Sequence, residues 1–337
     1  MSRRKWALPR CIESSFIESR MRFLKYAVFV IGVAALAVLA IRAGMHEVVS
    51  TLAALGWGGL AIISLLHVPV IVIMGVAWWS VGRGAASPRI FVAARWVRDS
   101  VGEVLPFSQI GGYLSGIRAA TIAGVPLQAA ALSMVADLNA EFAAKLPYVL
   151  VAILSLMAVL PGDYLIRPIL AALILIAVAL SVAFAFRKRL IAAFENATAR
   201  MVSRWLPERE VRLDLGHYFA RDRFLPACSI HLVMWFFGTL EAWVTFHLMG
   251  VHVSVVEALA IDALGTSFRS VGFMVPAAAG VQEAGYVLVG LAFGLPPAQG
   301  IAFSLARRAR DLVVGVPGLV FWQFLEAKAF RKPVSAP

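Results

Sequence analysis

Residues 57–81 read WGGLAIISLLHVPVIVIMGVAWWSV, a run without a single lysine, arginine, aspartate or glutamate. A helix of about 20 apolar residues crosses the hydrocarbon core of a bilayer, so this stretch is read as a membrane span. Similar spans are expected at 23–41, 128–160, 168–186, 224–249 and 297–326. The whole composition agrees: 61% of the 337 residues are hydrophobic and 15% charged, against roughly 45–50% and 25% in soluble domains. The chain is therefore an all-α polytopic membrane protein, and a soluble-domain reading is excluded.

Charge orients the spans. The formal net charge is +12. In a soluble chain this would point to nucleic acid; here it reads as basic loops beside anionic lipid. Seven basic residues precede or open the first span, four lie in 82–98, nine in 187–223 and three in the tail, so 23 of 31 fall on one side. The positive-inside rule makes that side the cytoplasm and places both termini there. Met21 opens MRFLKYAVFV, a normal start for a signal anchor and an alternative initiation site. The longest polar stretch, 187–223, is too short for a second domain and is read either as an amphipathic helix on anionic lipid or as a solvated loop.

Two further apolar stretches, 88–123 and 256–295, are interrupted by glycine, proline and charge. Each is read as a broken or re-entrant helical hairpin. Such backbone is tolerated at membrane depth only where protein or a watery cavity covers it. A shift of 170 residues lays SVGEVLP (100–106) on SVGFMVP (270–276), Gly124 on Gly294, Pro126 on Pro296, Pro147 on Pro317 and Glu141 on Asp311. The organisation expected is a basic segment 1–22, a first membrane unit 23–160, a second unit 161–326 that includes the 187–223 loop, and a tail 327–337. The first unit contains an odd number of crossings, so the second starts from the opposite side. Six spans and two broken hairpins then form an inverted-topology repeat, an arrangement that places a substrate site at mid-membrane between discontinuous helices.

Charge at that depth needs a partner or a cavity. Arg118, Lys145, Arg269, Arg307, Arg308 and Arg310 are the basic residues assigned there. In SLARRARDL (304–312), Arg307, Arg310 and Asp311 share one helix face; in MVADLNAEF (134–142), Asp137 and Glu141 do so, with Lys145 a turn further. Two readings stand together. The arginines could receive an anionic headgroup, since a guanidinium fork fits phosphate oxygens. Alternatively, Asp137 and Glu141 could pair with Arg307 and Arg310 in an internal network, with Asp137, Glu141 and Asp311 as charge-network or coupling residues. In RWVRDSVGEVLPFSQIGGYLSGIR (95–118), Pro106 and Gly111–Gly112 are expected to break the helix, leaving free backbone N–H groups flanked by Gln109 and Arg118. In VPAAAGVQEAGY (275–286), Gln282 and Glu283 are embedded among small residues. They suggest a cavity, whereas the glycines alone suggest close helix packing.

His67, His231, His247 and His252 lack ligand-like spacing and are assigned to packing or interfaces; no metal and no cofactor is expected. Cys11 and Cys228 form no framework. Trp78, Trp79, Trp96, Trp205 and Trp322 fit interfacial belts.

The segments LPFSQIGGYLSGIRAATIAGVP (105–126), VPAAAGVQEAGYVLVGLAFGLP (275–296) and SLARRARDLVVGVPG (304–318) resemble the lysylphosphatidylglycerol synthase/flippase transmembrane family, and within it a small stand-alone subgroup associated with hopanoid biosynthesis. The resemblance implies the lipid-translocating half of that family, without its soluble synthase domain. Gln109, Gly111, Gly112, Arg118, Gln282, Glu283, Arg307, Arg310 and Asp311 are the matching positions, and VPAAAGVQEAG departs from the glycine-richer or bulkier loop expected. The function expected is movement of a phospholipid or related amphipathic lipid between leaflets. Its partners would be lipids with anionic or polar headgroups and no nucleic acid, with a second copy or lipid-synthesis enzymes as further candidates. The competing functions are an intramembrane enzyme using Asp137, Glu141 and Glu283 as acid and base, and a non-catalytic scaffold.

Overall fold

The computed structural model describes residues 45–105, 109–159, 215–271 and 280–330. The expected spans 23–41 and 168–186, the two terminal segments, Pro106, Trp205 and most of the 187–223 loop lie outside these residues.

The described residues are helical, with no strand among them. Four helices are long and apolar enough to cross a membrane: α1 (Met45–Gly82), α4 (Leu127–Val159), α6 (Arg221–Leu248) and α9 (Pro297–Phe330). Between them lie α2 (Pro88–Val104), α3 (Gln109–Ile122), the single turn α5 (Leu215–Tyr218), α7 (Val255–Val271) and α8 (Val281–Ala292). α1 is bent at Gly56, whose φ of 58° few other residues adopt. The piece from 57 onward is the span read from the sequence.

Both broken stretches fold as expected into pairs of short helices. α3 lies directly on α2: a Cβ on Gly112 would come 2.7 Å from the Arg98 carbonyl oxygen. α8 lies on α7 in the same way, with Gly265 against the Tyr286 ring and Gly285 against Phe268. Small residues at these contacts let the helix axes approach closely. This corrects the reading of Gly111–Gly112 as a helix break. The helix begins at Gln109, both glycines are inside it, and Gly112 is a packing position. Gly285 likewise packs.

The helix order recurs. Gly124 and Gly294 have φ of 100° and 76° and close the same turn. In one, Gly124 and Val125 N–H donate to Thr121 and Ala120 carbonyls; in the other, Gly294 and Leu295 donate to Leu291 and Gly290. This is the glycine-ended helix stop. Each is followed by a proline and a long helix with a second proline at matched depth, Pro147 in α4 and Pro317 in α9. α2 and α7 are both 17 residues long and each follows a serine, Ser87 or Ser254. Aligned by their first residues, these two helices correspond at a shift of 167 rather than 170.

Contacts set the helix directions. α6 is antiparallel to α1, with Gly59 near Leu248 and Ser80 bonded to Arg223. α4 is parallel to α6, through His231–Asp137, Trp235–Glu141 and Tyr148–Thr239. α2 is antiparallel to α1, and α9 to α2, through Val104–Gly315, Ser100–Gly318 and Trp96–Phe321. α4 and α9 therefore run in opposite directions.

Burial follows these contacts. Trp78 is fully buried, donates to Ser133 Oγ at 3.0 Å and meets Phe91 edge-on, so it is a core residue and not part of an interfacial belt. Trp79 and Trp96 are half-buried and donate to the carbonyls of Ala86 and Val314. At one end of the bundle Arg223 of α6 donates to the Val81 and Arg83 carbonyls, covering the C-terminal end of α1 where a cation is favoured.

Candidate functional site

Taking a charge out of water costs several kcal/mol unless a partner is fixed in place, so the partners of the buried charges define the centre of this molecule. One cluster joins α2, α4 and α6. Arg95 donates through Nε to both Asp99 oxygens at 2.8 and 3.0 Å, and through one terminal nitrogen to Asp137 and Glu141 at 3.2 Å each. Arg98 reaches the same two carboxylates at 3.2 and 3.3 Å. His231 completes the set, its Nε2 lying 2.9 Å from Asp137. Sequence position places Arg95 and Arg98 in the basic 82–98 loop, but they are 1% and 6% exposed and belong to the interior.

A second cluster joins α4, α6, α7 and α9. Arg307 is paired with Asp262. The Tyr148 hydroxyl donates to the other Asp262 oxygen at 2.8 Å and contacts Thr239. Lys145 donates to the Thr266 carbonyl at 3.1 Å and lies over the Trp235 ring. A third joins α1, α6 and α9, where Glu241 lies between His67 Nδ1, at 2.9 Å, and Arg310. Arg310 also bonds Asp311 at 2.6 Å.

The buried charges are paired, but not in the pairs expected from the sequence. Asp137 and Glu141 do not meet Arg307 and Arg310; they meet Arg95 and Arg98. Sequence spacing could not supply the true partners, because Glu241 stands alone in the apolar part of α6 and Asp262 lies mid-way along α7, away from Glu257 and Arg269 at its ends. The one available signal was that an isolated acid inside a span needs a partner.

Glu283 is fully buried and held on three sides: by the Gly280 N–H at 2.8 Å, by Ser304 at 3.2 Å and by Arg308 Nε at 2.8 Å. Gln282 donates to the Tyr286 hydroxyl at 2.8 Å. Arg118 stands apart, exposed and bonded at 3.1 Å to both oxygens of Glu326 near the far end of α9. Nothing is described of the Gln109 side chain. Glu103 meets Arg269 at 2.6 Å, tying the last turn of α2 to the last turn of α7.

A small polar cleft opens where these clusters converge, between α1, α2 and α9. His67, Asp99, Ser100, Glu103 and Asp311 line it, with Trp96, Ile71 and Gly315 as apolar walls. The Ser100 hydroxyl is buried and has no hydrogen-bond partner among the described residues. The side facing the cleft is acidic, and the arginines stand behind it.

Asp137, Glu141 and His231 bring their ligand atoms within 4.8 Å of one another, a spacing a metal ion could use. Arg95 and Arg98 already bond both carboxylates at 3.2–3.3 Å. Two guanidinium charges at that distance oppose a cation, so the residues do not fit a metal centre in this arrangement.

A family model for the lysylphosphatidylglycerol synthase transmembrane region matches residues 24–318. The chain belongs to this family. The match spans both helical hairpins, three of the four long helices, α9 as far as Gly318 and the clusters described above, and it covers the membrane region of the family and not a synthase domain. Membership identifies a multi-pass membrane protein related to lipid handling. No curated protein and no solved structure matches the chain.

Proposed function

We propose that this protein moves a phospholipid or related amphipathic lipid between membrane leaflets and is a transporter rather than an enzyme. The observation that carries the proposal is the pair of reversed ion pairs: Arg95 of α2 holds Asp137 of α4, and Asp262 of α7 holds Arg307 of α9. The matched long helices run in opposite directions, which supports an inverted-topology repeat. Such a repeat has two related conformations, one open to each side of the membrane. A polar cleft with room for a water-sized occupant lies between the halves and supports a polar path there; the lipid head would be received at the charged residues named next, while its chains remain in the bilayer.

In this reading Arg307, Arg310, Gln282 and Glu283 form the headgroup region, with Asp137, Glu141 and Asp311 as its charge network. Each arginine there is held by a carboxylate, so a lipid phosphate would bind by exchanging with that carboxylate. Gln109, Gly111 and Gly112 lie in the first hairpin beside this region, while Arg118, bonded to Glu326, stands outside it. The setting is a bacterial inner membrane with both termini in the cytoplasm. Phospholipids with anionic or polar heads are the expected substrates, and a hopanoid is an alternative amphipath. A second copy or lipid-synthesis enzymes would be its protein partners.

The test is a leaflet-exchange measurement. Purified protein is reconstituted into phosphatidylcholine vesicles carrying fluorescent short-chain phosphatidylglycerol or phosphatidylethanolamine, and a membrane-impermeant quencher reports the outer-leaflet fraction. Acceleration over protein-free vesicles, with the mass of the lipid unchanged, is expected. Equal rates would sink the proposal, and a change in lipid mass would replace it with headgroup chemistry.

A further inference from the structure

His67 lies deep in α1 yet reaches the polar cleft, and its ring nitrogen Nδ1 is 2.9 Å from Glu241 of α6. A carboxylate has no hydrogen to give, so Nδ1 carries the proton of this bond. Nε2 then keeps its lone pair. The same Glu241 is shared with Arg310 of α9, which also bonds Asp311. One guanidinium therefore faces two carboxylates.

The surrounding charges do not correct this imbalance. On α9, Arg307 is held by Asp262 of α7. On α2, Asp99 is held by Arg95, and Glu103 by Arg269 of α7. The group around His67 therefore carries one unbalanced negative charge, and imidazole is the base in contact with it. A single added proton on Nε2 would make the group neutral, which a low-dielectric interior favours. The cleft supplies a route for that proton, having room for a water-sized occupant and, at Ser100, a hydroxyl with no hydrogen-bond partner among the described residues.

We propose that His67 and Glu241 form the binding site of a coupling proton. The proton enters through the cleft and adds to the Nε2 lone pair, turning neutral imidazole into imidazolium without breaking a covalent bond. Imidazolium then competes with Arg310 for Glu241 and repels the guanidinium. Arg310 is released from Glu241 when the proton is bound and returns when it leaves. Because α1, α6 and α9 meet at this point, proton occupancy shifts how these helices pack. The coupling half of the proposal rests on the lipid-translocation reading; the proton site itself does not.

Two measurements on the full chain separate these claims. The first is nitrogen NMR of histidine-labelled protein in detergent, titrated from about pH 8 to about pH 5. The His67 signal, assigned by its loss in His67→Gln, is expected to pass from neutral to doubly protonated imidazole. Glu241→Gln should move that transition to lower pH, and it provides the assignment independently if His67→Gln does not fold. A His67 signal that keeps one protonation state throughout, or that ignores Glu241→Gln, overturns the proton site. The second is the leaflet-exchange measurement with an imposed pH gradient. One proton per lipid shifts the leaflet ratio of the fluorescent phospholipid by up to about tenfold per pH unit. His67→Gln should still move lipid but lose this response. Movement in the wild type that ignores the gradient overturns coupling and leaves the translocation reading standing. Absence of movement in the wild type fails the translocation reading and coupling together, while the NMR titration still decides the proton site.

Discussion

Arg95 and Asp262 hold the same place, the eighth residue of two matched 17-residue helices, and carry opposite charges toward partners that are themselves reversed. An ion pair keeps its geometry when both signs are exchanged, so the two halves can share one packing arrangement without sharing residue types. Reversal also leaves each half with its own neighbours: Arg98 and His231 beside Asp137, Tyr148 and Thr239 beside Asp262.

The Asp262–Arg307 pair gives the cleanest measure of this interaction. Asp262→Asn leaves Arg307 without its counter-charge, and breaking one partner of a buried pair costs about 3–5 kcal/mol. Arg307→Gln should cost a similar amount. The double variant should lose clearly less than the sum, because neither charge remains unmatched. Thermal unfolding in detergent checks this, and additive losses would show that the pair is not coupled.

Helix contact inside the first hairpin is controlled by Gly112. A methyl group there would lie 2.7 Å from the Arg98 carbonyl oxygen, a backbone atom that cannot rotate away. Gly112→Ala is expected to destabilise by at least the ~1–3 kcal/mol typical of overpacking. Gly290→Ala, whose new atom would sit 3.6 Å from Leu295, should be tolerated. Comparing the melting temperatures of the two variants tests the difference.

Tryptophan position separates core from surface. Trp78→Ala removes a fully buried ring and should cost about 3–5 kcal/mol. Trp57 is 87% exposed, and Trp57→Ala should change stability by less than about 0.5 kcal/mol. Equal losses would contradict the burial described for Trp78.

Arg118 and Glu326 form an exposed bidentate pair outside the cleft. Exposed pairs contribute about 0–1 kcal/mol and are screened by salt. Arg118→Ala should leave the melting temperature nearly unchanged and lipid movement close to wild type, whereas Arg307→Ala should lower the latter strongly. Loss of movement in Arg118→Ala with a normal melting temperature would restore Arg118 to the headgroup region.

Much of this architecture is legible in the sequence alone. Apolar run length set the long spans, and glycine followed by proline marked the turns at Gly124 and Gly294, because each local backbone choice has a local cause. The 170-residue shift worked for these turns and for α4 and α9. For α2 and α7, aligned by their first residues, the shift is 167, which brings Arg95 into register with Asp262 rather than Gly265.

What the sequence determined by itself was therefore residence in the bilayer, the helical punctuation and the presence of charges that need partners. Only the tertiary structure decided which partners they have. His67 meets Glu241 across 174 residues, Arg269 meets Glu103 across 166, and Arg95 and Arg98 turn inward from a segment that looked like a basic loop. The physical reason is that hydrogen bonding within a helix is settled by neighbours a turn away, while the partner of a buried charge is settled by whichever helix packs against that face.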